Sequence, residues 1–221
     1  MKRVIEDNES VTREREPAIN LFLYKLFKWS VVAPMFRIYF RGRIYGAENV
    51  PKTGAVVVVC NHASHFDPPL ISSCLRRPVA YMAKEELFEV PVLKQGIKLY
   101  GAYPVKRSAA DRSAIRAAME VLDQGWAAGL FLEGTRTPDA RIQNPKLGAA
   151  LIAAKAKVPI LPVSLWGTEK ILEKGAIPQP VPVTVRIGEL IPTPTSTKKP
   201  ELEALTQKCA DIINEMHSLG R

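Results

Sequence analysis

The sequence predicts an α/β fold: a layered, largely parallel or mixed sheet flanked by helices, with an N-terminal amphipathic helix pair. Three observations predict it. Short apolar runs such as "GAVVVVC" (54–60) and "VPILPVSL" (158–165) alternate with stretches of helical spacing. Ionisable and small polar residues follow directly on several of those runs. The most apolar stretch, 17–41, is interrupted by cations.

Taken in order, residues 1–16 mix both charge signs densely and read as a flexible tail, resembling neither a signal nor a transit peptide. Residues 17–41, "PAINLFLYKLFKWSVVAPMFRIYFR", read as a helical motif for a membrane interface. A spanning helix needs about 20 uninterrupted apolar residues, and Lys25, Lys28, Pro34 and Arg37 interrupt this one. Between Pro17 and Ala47 the charges are Lys25, Lys28, Arg37, Arg41 and Arg43, with no acid. Basic apolar helices carrying Tyr24, Trp29 and Tyr39 suit an anionic bilayer surface. The plainer alternative is a helix packed on the protein's own core. The charge pattern favours the membrane, because core packing does not require acids to be excluded.

Residues 42–221 read as the α/β domain. Strands are expected at 54–60, 79–83, 100–105, 129–133, 158–165 and 181–188, and helices near 68–75, 90–99, 108–124, 144–156 and 200–218. Ser108 with Asp111 is a cap for the third of these helices and Gly125 its stop. Asn144 and Pro145 suit the cap and first position of the fourth. Leu202, Leu205, Cys209, Ile212, Ile213 and Met216 form the stripe of the last. The segment 191–200 reads as a linker.

Composition narrows the function. The 221 residues are 47% hydrophobic and carry a net charge of +9, which points to an acidic partner: nucleic acid, an anionic membrane or a phosphorylated substrate. Three cysteines without a CxxC pair imply neither a disulfide framework nor a metal site.

In an open α/β sheet, ligands sit beyond the carboxyl ends of the strands. The residues following the runs are therefore the site candidates: His62 and Asp67, then Lys84, then Lys106 and Arg107, then Glu133, Gly134, Thr135 and Arg136. Pro68 suits the first turn of a helix, so Asp67 reads as its cap, and the 62–67 loop can fold back to bring that carboxylate to the His62 ring. A carboxylate on one ring nitrogen fixes the tautomer and leaves the other nitrogen as a base. On these residues alone, a capping Asp67 and a satisfied loop histidine remain an alternative. His65 and Ser64 read as bystanders. Cys60 shares a strand face with His62, so a cysteine nucleophile is conceivable, but the end of an apolar run suits a small buried cysteine better. "FLEGTR" places a glycine, a threonine and a guanidinium after a strand, a pattern suited to an anion.

"NHASHFD", "GAYPVKR", "FLEGTR" and "VPILPV", in that order, resemble the blocks of the glycerolipid acyltransferases, and more narrowly those of bacterial 1-acylglycerol-3-phosphate acyltransferases. The resemblance covers about residues 42–190, and Pro104 in the second block is a mild departure. It implies that His62 is the general base and Asp67 its orienting partner. Lys84, Arg107 and Arg136 would hold a phosphate, with Gly134 and Thr135 in the same loop, while Glu133 would bind a glycerol hydroxyl or position Arg136. The implied acceptor is lysophosphatidate, and the donor a thioester of acyl-carrier protein or coenzyme A. No metal or bound cofactor is implied. The expected location is peripheral, on the cytoplasmic face of the cell membrane. Within the family, glycerol 3-phosphate or another lysolipid is the alternative acceptor. Outside it, the rival is a basic module binding membranes or nucleic acid without catalysis. Nucleic acid is the weaker of these, because basic and aromatic residues mix only in the apolar N-terminal segment.

Overall fold

The computed structural model describes residues 26, 28–75, 77, 79–84, 103–105, 112–173, 175 and 177–221. They form a seven-stranded sheet: β1 (Arg43–Tyr45), β2 (Val56–Cys60), β3 (Val79–Lys84), β4 (Tyr103–Val105), β5 (Ala127–Phe131), β6 (Ile160–Trp166) and β7 (Thr184–Ile187). Across the sheet the order is β1-β7-β6-β2-β5-β3-β4. From β6 to β4 every pairing is parallel; β7 runs antiparallel to β6 and carries β1 parallel to itself. The sheet is therefore mixed. The carboxyl ends of β2, β3, β4, β5 and β6 share one edge.

Among the described residues, four α-helices flank it: α1 (Asp67–Cys74), α2 (Arg112–Asp123), α3 (Gly148–Ala156) and α4 (Lys199–Ser218). Strand β2 lies in the middle, and all five of its residues are buried, which explains its unbroken valines. The alternation of side chains divides the core in two. Val57 and Val59 pack with residues of α2, α3 and α4. Val56, Val58 and Cys60 pack on the other face with Leu70, Ile71 and Cys74 of α1 and with Phe36 and Phe40. The predicted stripe of α4 is the one that packs: Cys209 and Ile213 are buried within the first of these clusters, with Leu205, Ile212 and Met216 against it.

Two helix starts differ from the sequence expectation. Helix α3 begins at Gly148, not at Asn144. The Asn144 amide donates to the Glu133 carboxylate and the Lys146 amide to Leu132 O (2.7 Å), so 144–146 is tied to the end of β5 and not wound into a helix. Asp67 opens α1 without capping it. Pro68 and Pro69 have no N–H to offer a cap, and the next amide, Leu70, donates to Phe66 O. The stop at Gly125 is as expected: its φ is +74°, and the Gly125 and Trp126 amides return to Leu122 O and Val121 O. The helix expected at 90–99 and the Ser108–Asp111 cap lie outside the described residues.

The N-terminal pair appears as two helical segments with wide π-type turns, Lys28–Val32 and Met35–Tyr39. They divide by face. Val32 and Phe36 are buried, as is the following Phe40, whereas Trp29 is 66% and Ile38 77% exposed. The Lys28 ammonium is buried and donates to Ser72 O on α1, so this cation joins the segment to the fold and does not face outward. Among the described residues, no helix is long and apolar enough to cross a membrane.

Candidate active site

The loop from β2 to α1 folds back on itself. Asp67 Oδ2 lies 2.7 Å from His62 Nδ1 and also accepts the amides of Ala63 and Ser64, each at 2.8 Å. The carboxylate is fully buried, while the imidazole keeps 18% of its surface exposed. An ionised carboxylate only accepts, so the proton of this pair sits on Nδ1, and in the neutral ring the lone pair is then on Nε2. Three donors on one oxygen hold Asp67 firmly, and through it the ring. The Asp67 that reads as a helix cap in sequence instead uses its carboxylate to hold the turn that precedes it.

One face of the His62 ring is covered as well. Phe131, the last residue of β5, stacks on it at 3.8 Å between centroids and 15° between planes. Tyr81 of β3 stacks in turn on Phe131 at 5.3 Å. Gly129 makes this possible, because a Cβ at that position would collide with the Tyr81 ring. Beneath the stack, the Cys60 thiol is fully buried and points at Leu130 O. Burial first, and the nearby Asp67 second, push that thiol well above the ordinary cysteine range. Cys60 is therefore core, and unsuited to be a nucleophile.

The second loop, 132–142, docks onto the first. Thr137 N donates to His62 O (2.8 Å), with the Thr137 hydroxyl on the same oxygen. Asn61, buried directly before His62, donates to Ala140 O and Leu165 O and accepts from the Leu165 amide. Gly134 takes φ +73°, a conformation that costs glycine little, and so turns the chain after β5. The turn leaves Gly134, Thr135 and Arg136 exposed. Arg136 reaches across to His65, Nη1 against Nε2.

The sequence candidates are thus partly assembled. His62, Asp67, Glu133, Gly134, Thr135 and Arg136 lie at the carboxyl edge of the sheet. Lys84 ends β3 at that edge, in register with Val105 of β4. Arg107, two residues past β4, lies outside the described residues. Glu133 is committed elsewhere: its carboxylate accepts the amides of Gln143 and Asn144. His65, read as a bystander from the sequence, is in contact with Arg136. Sequence reasoning also passed over Asn61, Phe131 and Thr137. A buried polar residue closing an apolar strand was the available signal for Asn61; nothing in the sequence marks the other two. Among the described residues, no cluster of His, Cys, Asp or Glu could hold a metal ion.

A buried carboxylate, an imidazole oriented by it and an exposed guanidinium lie together at the carboxyl edge of a mixed α/β sheet, an arrangement that can serve general-base chemistry beside an anion. The family comparison makes this specific. The acyltransferase family model matches residues 41–166, and the chain belongs to that family. It is 32% identical over 158 residues to the chloroplastic 1-acyl-sn-glycerol-3-phosphate acyltransferase LPAT1 of Arabidopsis thaliana, covering 70% of this chain and 43% of the relative. To the 1-acyl-sn-glycerol-3-phosphate acyltransferase of Bacillus subtilis it is 27% identical over 183 residues, covering 80% of this chain and 90% of the relative. The chain spans less than half the length of the chloroplastic relatives from Arabidopsis thaliana and Brassica napus. Among solved structures, the 1-acyl-sn-glycerophosphate (LPA) acyltransferase PlsC of Thermotoga maritima superposes with a TM-score of 0.69 at 27% identity, covering 90% of this chain and 87% of that one.

Proposed function

We propose that this protein transfers an acyl chain from a thioester to the free hydroxyl of 1-acylglycerol 3-phosphate, forming phosphatidate for phospholipid synthesis. The observation that carries the reading is the 2.7 Å contact between His62 Nδ1 and a fully buried Asp67. The acceptor's hydroxyl gives its proton to His62 Nε2 as its oxygen attacks the thioester carbonyl. Asp67 stabilises the imidazolium that forms. The tetrahedral intermediate collapses, the carbon–sulfur bond breaks, and the imidazolium returns the proton to the departing thiolate, so the base is regenerated. A base so placed contributes roughly 10²–10⁴ in rate. Arg136, with Lys84 and Arg107, holds the phosphate; a planar guanidinium matches phosphate oxygens in pairs.

The donor is a thioester of acyl-carrier protein or coenzyme A, which present the same reacting bond. The N-terminal segment supports a lipid acceptor. Leu26, Trp29, Val31, Ile38 and Tyr39 are all exposed, and Arg37 and Arg43 are exposed near them in the chain. We place this face on the cytoplasmic surface of an anionic membrane, where the acceptor stays in its leaflet. The names of the chloroplastic, Bacillus and Thermotoga relatives support the same acceptor.

The test is thiol release from acyl-coenzyme A and from acyl-acyl-carrier protein, each with lysophosphatidate, glycerol 3-phosphate or no acceptor. Release stimulated by lysophosphatidate, with phosphatidate as product, is expected. Stimulation by glycerol 3-phosphate alone would transfer the reading to the other acceptor, and no stimulation by any phosphate ester would overturn it.

A further inference from the structure

His65 is not used in the mechanism above, yet it makes a contact between side chains across the two loops of the site, with Arg136 Nη1 against its Nε2. A guanidinium has only donors. The His65 nitrogen facing it must therefore be the acceptor, and a ring that accepts at Nε2 and carries its proton at Nδ1 is neutral. Both residues are exposed, so a phosphate from solvent can reach them.

The charged and titratable groups acting on His65 among the described residues are Arg136 from the opposite loop and His62 and Asp67 from its own. Burial, then Arg136, then His62 lower its proton affinity below the ordinary histidine range, and Asp67 opposes them. A phosphate dianion reverses this balance. It draws the Arg136 N–H bonds to itself and leaves Nε2 with a lone pair directed at negative charge. The lowest-energy response is to bind a proton at Nε2 and donate it to the phosphate.

We propose that His65 is a positioning residue for the acceptor's phosphate: it holds the Arg136 guanidinium ready until an acceptor arrives, then takes up a proton and becomes a second donor to the phosphate. This rests on the reading that Arg136 holds the acceptor's phosphate. It makes acceptor binding a proton-consuming step, and it gives the two histidines of "NHASHFD" separate tasks: His62 works on the hydroxyl, His65 on the phosphate.

The experiment titrates a short-chain, monomeric lysophosphatidate into the full chain at pH 7.5, without acyl donor, by calorimetry in buffers of different ionisation enthalpy. The wild type should take up roughly one proton per acceptor bound, a single imidazole's worth. His65→Phe, at an exposed position, should abolish that uptake and raise the acceptor's KM about tenfold, the scale of one hydrogen bond to a charged group. The donor's KM should not move. His65→Gln keeps an acceptor near the place of Nε2, so it should bring the acceptor's KM to within roughly threefold of wild type, with no proton taken up. Equal proton uptake by wild type and His65→Gln, or an unchanged acceptor KM in His65→Phe, overturns the proposal. Arg136→Ala separates it from the reading beneath it. If Arg136→Ala raises the acceptor's KM and His65→Phe does not, the phosphate stays with Arg136 and only the role of His65 is lost. If neither variant changes it, the phosphate site itself is misplaced.

Discussion

Asp67 and His62 are five positions apart in sequence, and their pairing depends on one turn. Three donors converge on Asp67 Oδ2, so the carboxylate both closes the turn and fixes the imidazole tautomer. Replacing either partner should therefore act on the chemical step. His62→Ala is expected to lower kcat by roughly 10²–10⁴ while lysophosphatidate still binds. Asp67→Asn, which presents an amide where Nδ1–H needs an acceptor, should produce a loss of the same kind. Steady-state kinetics with an equilibrium binding assay checks both. Turnover within about tenfold of wild type in His62→Ala would remove the general base from this position.

At the scale of elements, the site depends on segments that are held away from their local preference. Glu133 follows β5 and binds the amides of Gln143 and Asn144, which delays α3 to Gly148 and sets the 132–142 loop against the first. Glu133→Ala should lower stability by about 1–2 kcal/mol, as expected for lost hydrogen bonds to a charged group, and Glu133→Gln by less, because it keeps one acceptor. Chemical denaturation monitored by circular dichroism measures this. The same loop is held from the other side by α4, where the Asn214 side chain accepts the Ile142 amide and donates to Ile142 O. One turn further on, His217 is buried, and neither ring nitrogen meets a partner among the described residues. Burial, then Arg141, lower its proton affinity below the ordinary value of 6.5. A base depressed in the folded state is neutral there. Its contribution is complete above the unfolded value and is lost as pH falls from about 6.5 through the folded value. Wild type should therefore lose more stability than His217→Phe between pH 8 and pH 5.5. Equal losses in paired denaturation curves would remove His217 from the acid limb.

For the molecule as a whole, the N-terminal segment has two opposite surfaces. Phe36 and Phe40 belong to the core beneath β2, and Lys28 is bound to α1, so removing the segment would open the core. The exposed face can be changed alone. Trp29→Ser with Ile38→Ser should sharply weaken flotation with anionic vesicles and leave the thermal midpoint within a few degrees, since both side chains are exposed. Activity on bilayer lysophosphatidate should fall much further than activity on a monomeric, short-chain acceptor. Unchanged flotation would place the membrane contact elsewhere.

The sequence by itself determined the α/β class and the strand ends where polar residues gather; for His62 and Asp67 it left a pair and a helix cap both open, and only the resemblance to the acyltransferase blocks implied the pair. The class and the strand ends both follow from spacing along one short segment: period-2 or unbroken apolar runs mark buried strands, and the polar residues directly after them mark the strand ends. Only the tertiary structure decided what joins segments far apart in the chain. Strand β7 pairs antiparallel with β6, Phe131 covers the His62 ring, Thr137 fastens the second loop to the first, and Arg136 meets His65 across 71 positions. It also assigned Lys28 to the interior and Glu133 to backbone amides. The physical reason is common to all of these. A charge or a ring on a strand end can take many partners of similar energy, and which one it meets depends on the packing of the whole sheet, which no local pattern in the sequence records.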